Sequence, residues 1–322
     1  MNAYTRWHAR GVLRLSAVAA VSAWLCVGWA CSKGGGGAPT EAAPEGALSE
    51  RPAPTLAPGE RRWPITGEVV SVDPKGNTIR LRHNEVKGYM PAMTMDFAAA
   101  AGDCASVRPG EKLRADLIVG EKGHARLERI WPDDQVSLDT VDAGLQALRE
   151  DTHNRGRSVY REIGESVPGF VLYDQNGQVV RSDRFRGKQV MLNFIYTRCP
   201  IADMCPASTL KMMSAQKLAR AAGVTGIEFV SITLDPANDT PGTLRTYADE
   251  RGIDTSNFSF LTGPEAAIRN LLAQFGVIAE FEGDIVKHTL TTLLIDEQGH
   301  IKYRADGSVW EPKDFVERMH RG

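Results

Sequence analysis

The chain has 322 residues, of which 42% are hydrophobic and 24% charged, and its formal net charge is −2. This length is enough for about two domains. The composition is that of globular domains and excludes a disordered chain or one built mainly from membrane helices. The near-neutral charge also excludes the basic surface that nucleic-acid binding requires, so no nucleic-acid partner is expected.

The first 31 residues have the pattern of an export signal. Three arginines and no carboxylate precede an uncharged, apolar stretch over residues 15–32, as in a signal peptide. The stretch includes Gly28-Trp29-Ala30-Cys31, which resembles the cleavage site of a bacterial lipoprotein and implies lipidation of Cys31. An uncleaved signal anchor is the alternative, because the stretch approaches the length of a membrane span. Either way, we expect the rest of the chain at the periplasmic side of a bacterial membrane.

Residues 32–62 form a predicted flexible linker. Five prolines and six glycines fall between residues 34 and 60, with too few large apolar side chains to form a core. Three cysteines lie beyond this linker. In an oxidising compartment Cys199 and Cys205 are close enough in sequence to bridge, whereas Cys104 is left over and is expected to be a buried apolar side chain.

Residues 63–133 are predicted to form a small all-β barrel. Short alternating segments are separated by turn sequences rich in glycine, proline and asparagine. About five strands in 70 residues is the size of a small closed barrel of the OB type. The predicted strands are Ile65–Val72, Thr78–His83, Met93–Phe97, Lys112–Val119 and Ala125–Trp131.

The third of these strands is rich in methionine. Met93 and Met95 are two residues apart, so in a strand they point to the same face. Two thioethers with an imidazole such as His83 are suited to Cu(I). The alternative is an ordinary core stripe, because Phe97 lies on the same face.

Residues 64–131 resemble the CusF-type periplasmic copper-binding domain, in which a Pro-x-Met-Thr-Met strand and one histidine hold Cu(I). The resemblance implies a copper site made by His83, Met93 and Met95. Met90 stands where that family has a capping tryptophan. It is therefore a candidate third thioether, or a lid over the site.

Residues 134–163 are polar and are predicted to be a connector to a second domain, residues 164–322. In that domain strands alternate with helices, which favours an α/β sandwich. A helix is predicted over residues 207–222, with Leu210, Met213, Leu218 and Ala221 on one face. The predicted strands cover 168–172, 179–180, 189–196, 227–234, 290–295 and 300–303, and the other helices cover 241–251, 265–275 and the residues after Pro312.

Cys199 and Cys205 lie between a predicted strand and a predicted helix. Pro206 is suited to a first helical turn, which places Cys205 near the helix N-terminus. The helix dipole there favours a thiolate, so we expect a lowered pKa for Cys205. Such a pair can bind a soft metal, exchange disulfides or form a structural bridge, and the sequence pattern leaves all three open.

Residues 164–320 resemble the Sco/SenC family, thioredoxin-like proteins that help to assemble the dinuclear copper site of cytochrome c oxidase. The resemblance implies a thioredoxin-like fold and a copper site made by Cys199, Cys205 and His288, with copper as Cu(I) or Cu(II). The motifs that carry it are Phe194 to Pro200 with Cys205-Pro206, Ser231 to Pro236 with Asp239 to Pro241, and His288-Thr289 with Leu293 to Asp296.

Two features depart from the family pattern. Five residues separate Cys199 from Cys205, where the family has three, so the loop must bulge to present both sulfur atoms. Lys287 stands where an aspartate commonly precedes the histidine, and a cation facing copper would be unfavourable. Met204, next to Cys205, is expected to pack rather than to bind metal.

These features predict a metallochaperone rather than an enzyme. The protein would be tethered to the membrane by its lipid, acquire copper in the barrel, and deliver it to the copper-bearing subunit of a cytochrome c oxidase or to another copper protein. Fusion of two copper domains would raise their effective concentration toward each other. The alternative is a thiol-disulfide oxidoreductase that keeps oxidase cysteines reduced for metallation, with Cys199 or Cys205 as the attacking thiolate.

Overall fold

The computed structural model describes residues 55–121, 123–156, 159–282 and 285–320. All of them belong to the compact unit Leu48–Gly322. The predicted signal, Cys31 and most of the predicted linker lie outside the described residues. Within the described ranges, no helix is both long and apolar enough to span a bilayer.

The first part of the described chain is a closed five-stranded barrel with the strand order β1-β2-β3-β5-β4. Each predicted strand is present, which confirms the all-β barrel. The short helix α1, between β3 and β4, was not predicted, because six residues are too few to show a helical period. The elements are β1 (Arg61–Asp73), β2 (Thr78–His83), β3 (Met93–Ala98), α1 (Ala101–Ser106), β4 (Lys112–Val119) and β5 (Ala125–Pro132).

Alternate side chains of β2 and β3 point into the barrel and form part of its core. Ile79 and Leu81 are fully buried on β2 and lie opposite Phe97 and Met95 of β3. Cys104 of α1 packs into the same core, and burial raises the pKa of its thiol to about 11. The expectation that Cys104 is a buried apolar side chain is confirmed.

The rest of the described chain is an α/β domain around a seven-stranded sheet of order β14-β13-β8-β9-β10-β6-β7, with β8, β9 and β10 parallel. The predicted α/β class is confirmed. The elements are α2 (Gln135–Arg155), β6 (Val171–Asp174), β7 (Val179–Arg181), β8 (Gln189–Ile195), α3 (Cys205–Ala221), β9 (Ile227–Thr233), α4 (Pro241–Glu250), β10 (Phe258–Thr262), α5 (Glu265–Phe275), β11 (Ala279–Glu282), β12 (Ile285–His288), β13 (Thr291–Ile295), β14 (Ile301–Asp306) and α6 (Pro312–Val316).

Four elements of this domain were not predicted from the sequence. The predicted connector contains the 21-residue helix α2. This helix is polar except for a narrow buried face formed by Val141, Leu145 and Leu148. Strand β10 and the two-stranded sheet β11–β12 were missed.

The predicted buried face of α3 was wrong. Leu210 is 62% exposed and Leu218 42% exposed, whereas Met212, Ala215 and Ala219 are fully buried. The helix packs through the face that carries Met212, Ala215 and Ala219, so the large apolar residues Leu210 and Leu218 were a misleading signal.

The barrel and the α/β domain touch through α1 and α4. A Cβ atom at Gly102 would lie 2.1 Å from the carbonyl oxygen of Gly242, and one at Gly242 would lie 2.7 Å from the Cα of Asp103. Contacts this short exclude any side chain. The two glycines therefore allow the helix backbones to meet directly, and we call this contact the glycine joint.

Gly242→Ala should destabilise the protein, although alanine is normally the better helix residue. The new methyl group collides with the Asp103 backbone, so we expect the free energy of unfolding to fall by about 1–3 kcal/mol, the usual cost of overpacking. Urea denaturation of the protein measures this change in the free energy of unfolding. Gly169→Ala is the matched control, because a Cβ at Gly169 meets no atom within 4 Å. An equal response of the two variants would contradict the tight joint.

Candidate metal centre

Both cysteines of the predicted motif lie at the end of the central strand β8. This strand is completely buried, and the chain leaves it at Tyr196. Cys199 follows in the loop and is half-buried, whereas Cys205 is the first residue of α3 and is fully buried. Pro206 occupies the first helical turn, as its fixed φ predicts. Both cysteines are free thiols in the structure.

His288 reaches the cysteines from a separate hairpin. It is the last residue of β12 and pairs with Ala279 of β11, so it lies on the two-stranded sheet and not on the seven-stranded one. Its Nδ1 atom is 3.0 Å from the carbonyl oxygen of Thr289, and its Nε2 atom is 3.2 Å from the Cys205 sulfur. The carbonyl contact favours a proton on Nδ1, which leaves Nε2 available as a ligand.

The Cys199, Cys205 and His288 ligand atoms all lie within 4.8 Å of one another. Two atoms that bind one metal ion at about 2.0–2.3 Å are at most about 4.6 Å apart. The three side chains therefore need only a small adjustment to share an ion. We call these residues the cysteine–histidine cluster.

The expected lowering of the Cys205 pKa is wrong. Burial raises the pKa of the Cys205 thiol well above its ordinary range, and the neighbouring Cys199 raises it further. The backbone N–H of Tyr196 lowers it, but only in part. Burial also lowers the pKa of His288. Removal of water from the cluster thus outweighs the helix N-terminus, and a bound cation would have to displace the Cys205 proton.

The cysteine loop is attached to the segment before α4. Asp239 is completely buried and accepts hydrogen bonds from the Thr197 backbone, the Thr197 hydroxyl and the Thr233 hydroxyl. Arg198 forms an ion pair of 3.0 Å with the buried Asp235. These two aspartates, which belong to a distant segment of the chain, therefore fix the loop immediately before Cys199.

The five residues between the cysteines form a turn. The backbone N–H of Met204 donates to the carbonyl of Ile201 at 3.1 Å, and this turn takes up the extra length. Lys287 pairs with Glu280 across the hairpin. Because neighbouring strand residues point to opposite faces, Lys287 points away from the face of His288, so its charge does not oppose a cation in the cluster.

The barrel brings its predicted metal residues together on β2 and β3. His83 and Met93 are direct cross-strand partners, and Met95 is two residues further along β3 on the same face. His83 is buried and its Nδ1 atom contacts the Asn84 carbonyl at 2.7 Å. Its Nε2 atom is buried and has no hydrogen-bond partner among the described residues, whereas Met93 is 47% exposed.

Met90 packs against the barrel core together with Met95. An isolated bridge to Val86 holds it at the end of the barrel. Tyr89 beside it stacks on Trp63 with ring centroids 4.4 Å apart. The structure thus places a third methionine at the end of the barrel, three residues before Met93 in the chain.

His83 and Met93 lie at the end of the β2–β3 pair that is remote from the glycine joint. Strand β3 starts at Met93 and ends at Ala98, a distance of roughly 17 Å along the strand. Helix α1, which carries the joint, follows Ala98. The cysteine loop, in contrast, is hydrogen-bonded to Asp239, three residues before Gly242 of the joint.

Comparisons with known proteins agree with the division of the chain into a barrel and an α/β domain. Residues 160–321 match the family model described as SCO1/SenC. The chain belongs to the SCO1/SenC family. Residues 63–132 match the model described as copper binding periplasmic protein CusF, which supports the inferred fusion of a CusF-like and a Sco/SenC domain.

Individual relatives match up to about half of this chain. A SCO2-like protein of Rickettsia felis is 33% identical over 169 residues, which are 50% of this chain and 78% of the relative. The SCO1 protein homolog of Bacillus subtilis is 26% identical over 168 residues, or 50% of this chain and 84% of the relative. Among solved structures, copper-bound Bradyrhizobium japonicum ScoI is 25% identical, with a TM-score of 0.41 and coverage of 48% of this chain and 100% of that chain.

Asp239→Ala should loosen the cysteine loop of this SCO1/SenC domain. The change leaves the Thr197 and Thr233 donors without their acceptor in a buried site, so we expect a loss of about 2–3 kcal/mol in the free energy of unfolding. Urea denaturation measures it. Asp203→Ala, an exposed change within the same loop, should stay within about 0.5 kcal/mol of the wild type. A neutral Asp239→Ala would show that this carboxylate does not hold the loop.

Proposed function

We propose that this protein carries copper at two sites and delivers it for the assembly of the copper centre of cytochrome c oxidase. The observation that carries the proposal is the convergence of Cys199, Cys205 and His288 at the end of β8. Residues 164–322 would form the delivery domain and residues 63–133 the acquisition domain. The copper-bearing subunit of the oxidase is the proposed acceptor.

The chemistry of the cysteine–histidine cluster fits copper as cargo. Two thiolates and one imidazole are soft to intermediate ligands that suit both Cu(I) and Cu(II) and discriminate against Mg²⁺ and Ca²⁺. The cluster is also largely screened from water, which disfavours uncompensated thiolates and favours a bound cation. Copper transfer needs no bond of an organic substrate to be broken, so the proposed role is that of a chaperone.

The barrel residues fit Cu(I) in a different way. A buried imidazole nitrogen without a partner normally requires an explanation, and the Nε2 atom of His83 is such an atom. Thioether sulfur from Met93, opposite it, and from Met95 would complete a soft site for Cu(I). The matched CusF description, which names copper binding, supports this assignment.

The cellular setting is part of the proposal. The apolar stretch before Cys31 and the arginines that precede it support export and lipidation at Cys31. The match to the family described as copper binding periplasmic protein CusF supports the same compartment. The lipid would hold the protein on the periplasmic side of a bacterial membrane.

A thiol-disulfide oxidoreductase is the second candidate, and the unequal burial of the two cysteines favours it. Cys199 is half-buried and Cys205 fully buried. An accessible sulfur can attack a disulfide of a partner, and the buried sulfur can then release the partner by closing the Cys199–Cys205 bond. In this role His288 would not be required as a metal ligand.

An anaerobic Cu(I) titration of the reduced protein against a competing chelator tests the copper sites. We expect two tight equivalents per chain. Cys205→Ser and His288→Ala should each remove the equivalent bound at the cysteine–histidine cluster. Met93→Leu should weaken the equivalent bound in the barrel by at least about tenfold, because leucine keeps the volume of methionine but offers no sulfur.

The matched controls are His300→Ala and Met213→Leu, which replace residues outside both sites. Both controls should retain two equivalents. Copper binding that does not depend on His288, combined with reduction of a disulfide substrate by the wild type, would replace the chaperone by the oxidoreductase. An unchanged Cu(I) affinity of both equivalents in Met93→Leu would leave the barrel without a copper role.

A further inference from the structure

A cavity of about 400 Å³ lies between the barrel and the α/β domain. The candidate copper ligands of both domains lie outside its lining. Its α/β side includes the segments that follow β9 and β10, at residues 236–237 and 263–264, and the barrel contributes Arg114, Arg129 and Trp131. Small ligands bind preferentially at the carboxyl ends of parallel strands and at domain boundaries. This cavity occupies both kinds of position.

Arg129 belongs to a β-bulge of the barrel. The pairing of β4 with β5 shifts at this point, so that Arg129 and Ile130 both lie opposite Ala115. The φ angle of Arg129 is +53°, in the left-handed region that glycine normally occupies in such a bulge. Bulges re-aim side chains, and backbone strain at a residue other than glycine is concentrated at functional sites. The bulge thus holds an arginine at the cavity where the backbone alone favours glycine.

Two hydrogen-bond donors of the lining are buried without an acceptor. The Nε atom of Arg129 and the hydroxyl of Tyr173 have no hydrogen-bond partner among the described residues. Tyr173 is 2% exposed, and its ring meets that of Trp131 edge-on with centroids 6.2 Å apart. Buried polar groups nearly always have a partner. Oxygen atoms of a ligand would supply the acceptors that both groups lack.

Both arginines of the lining have donors beyond those that their ion pairs use. Arg129 lies 3.5 Å from Asp116, which has a closer partner in Arg62 at 3.2 Å. Arg114 lies 3.9 Å from Asp133. A guanidinium group carries five N–H donors in a planar fork that matches a carboxylate. The two side chains can therefore bind a carboxylate and keep these long ion pairs.

The other side chains of the lining limit the kind of anion. Asp142 and Glu265 also line the cavity, and Glu265 is paired with Arg269 at 3.4 Å. Two arginines and two carboxylates leave little excess positive charge, which suits a single carboxylate and disfavours a polyanion such as phosphate. Much of the remaining wall is apolar and suits a hydrocarbon body, with contributions from Trp131, Leu138, Val141, Pro236 and Pro264.

We propose that this cavity binds a small organic carboxylate with an apolar body, whose oxygen atoms accept hydrogen bonds from Arg129 and Tyr173. The site needs both domains, because Arg129 comes from β5 of the barrel and Tyr173 from β6 of the α/β domain. The proposal goes beyond the proposed function and does not depend on copper binding.

Isothermal titration calorimetry of the metal-free protein with benzoate tests the site. Benzoate joins one carboxylate to an apolar ring, and we expect one equivalent with a Kd of about 1 mM or tighter. Benzyl alcohol lacks the charge, and inorganic phosphate lacks the apolar body. Each should bind at least about tenfold more weakly, because hydrogen bonds to a charged group are the stronger ones. Absence of benzoate binding, or an affinity no higher than that of benzyl alcohol, overturns the proposal.

Arg129→Gln and Tyr173→Phe test whether benzoate binds in this cavity. Each variant should weaken benzoate binding about tenfold, through the loss of a hydrogen bond to the carboxylate. Arg149→Gln is the matched control, because Arg149 is an exposed arginine of α2 outside the lining, and it should keep the wild-type affinity. If all three variants keep that affinity, benzoate binds elsewhere and the proposal fails.

Thermal unfolding separates ligand binding from a structural role of the same residues. Without benzoate, Arg129→Gly should keep a Tm close to that of the wild type, because glycine favours the positive φ of this bulge. Tyr173→Phe should do the same, because its hydroxyl has no partner to lose among the described residues. Benzoate should raise the Tm of the wild type and of Arg149→Gln more than that of either cavity variant. A large fall in the Tm of either variant without benzoate would assign that residue to the fold and not to a ligand.

Discussion

The buried carboxylate of Asp239 is the interaction on which the site depends. It fixes Thr197 at the start of the cysteine loop and Thr233 at the end of β9, and burial raises its pKa to about 6. A carboxylate without water is stable only when donors surround it, so the loop and the strand end must stay in place around it. Asp239 also directly precedes Thr240, whose hydroxyl caps α4. One short segment therefore sets the cysteine loop and the start of the helix that meets the barrel.

Burial gives the cysteine–histidine cluster its chemical character. The Cys205 thiol and the His288 imidazole both lose water, which favours their neutral forms, a thiol with a raised pKa and an imidazole with a lowered one. Without a cation these two groups are thus held in their neutral forms, and cation binding at Cys205 is coupled to loss of its thiol proton. The helix N-terminus at Cys205 contributes too little to reverse this, because desolvation of a fully buried sulfur is the larger effect.

The sequence pattern predicted those elements that are determined by residues close together in the chain. The strands of the barrel follow from alternation, and the helix start at Cys205 follows from Pro206 in the first turn. The pattern failed wherever tertiary packing decides. It chose the wrong face of α3, because large apolar side chains were taken as the buried ones. It also missed the β11–β12 hairpin, and it could not show the contact of His288 with Cys205, which joins residues 83 positions apart in the chain.

The glycine joint explains how two small domains can act as one body. A barrel of this size has a modest core of its own, and packing α1 against α4 adds a contact that no linker would provide. The close backbone approach is possible only because Gly102 and Gly242 have no side chains. The joint follows the end of β3 opposite to Met93 and lies next to the segment that holds the cysteine loop. The same short contact therefore joins the barrel to the part of the α/β domain on which the cysteine–histidine cluster depends.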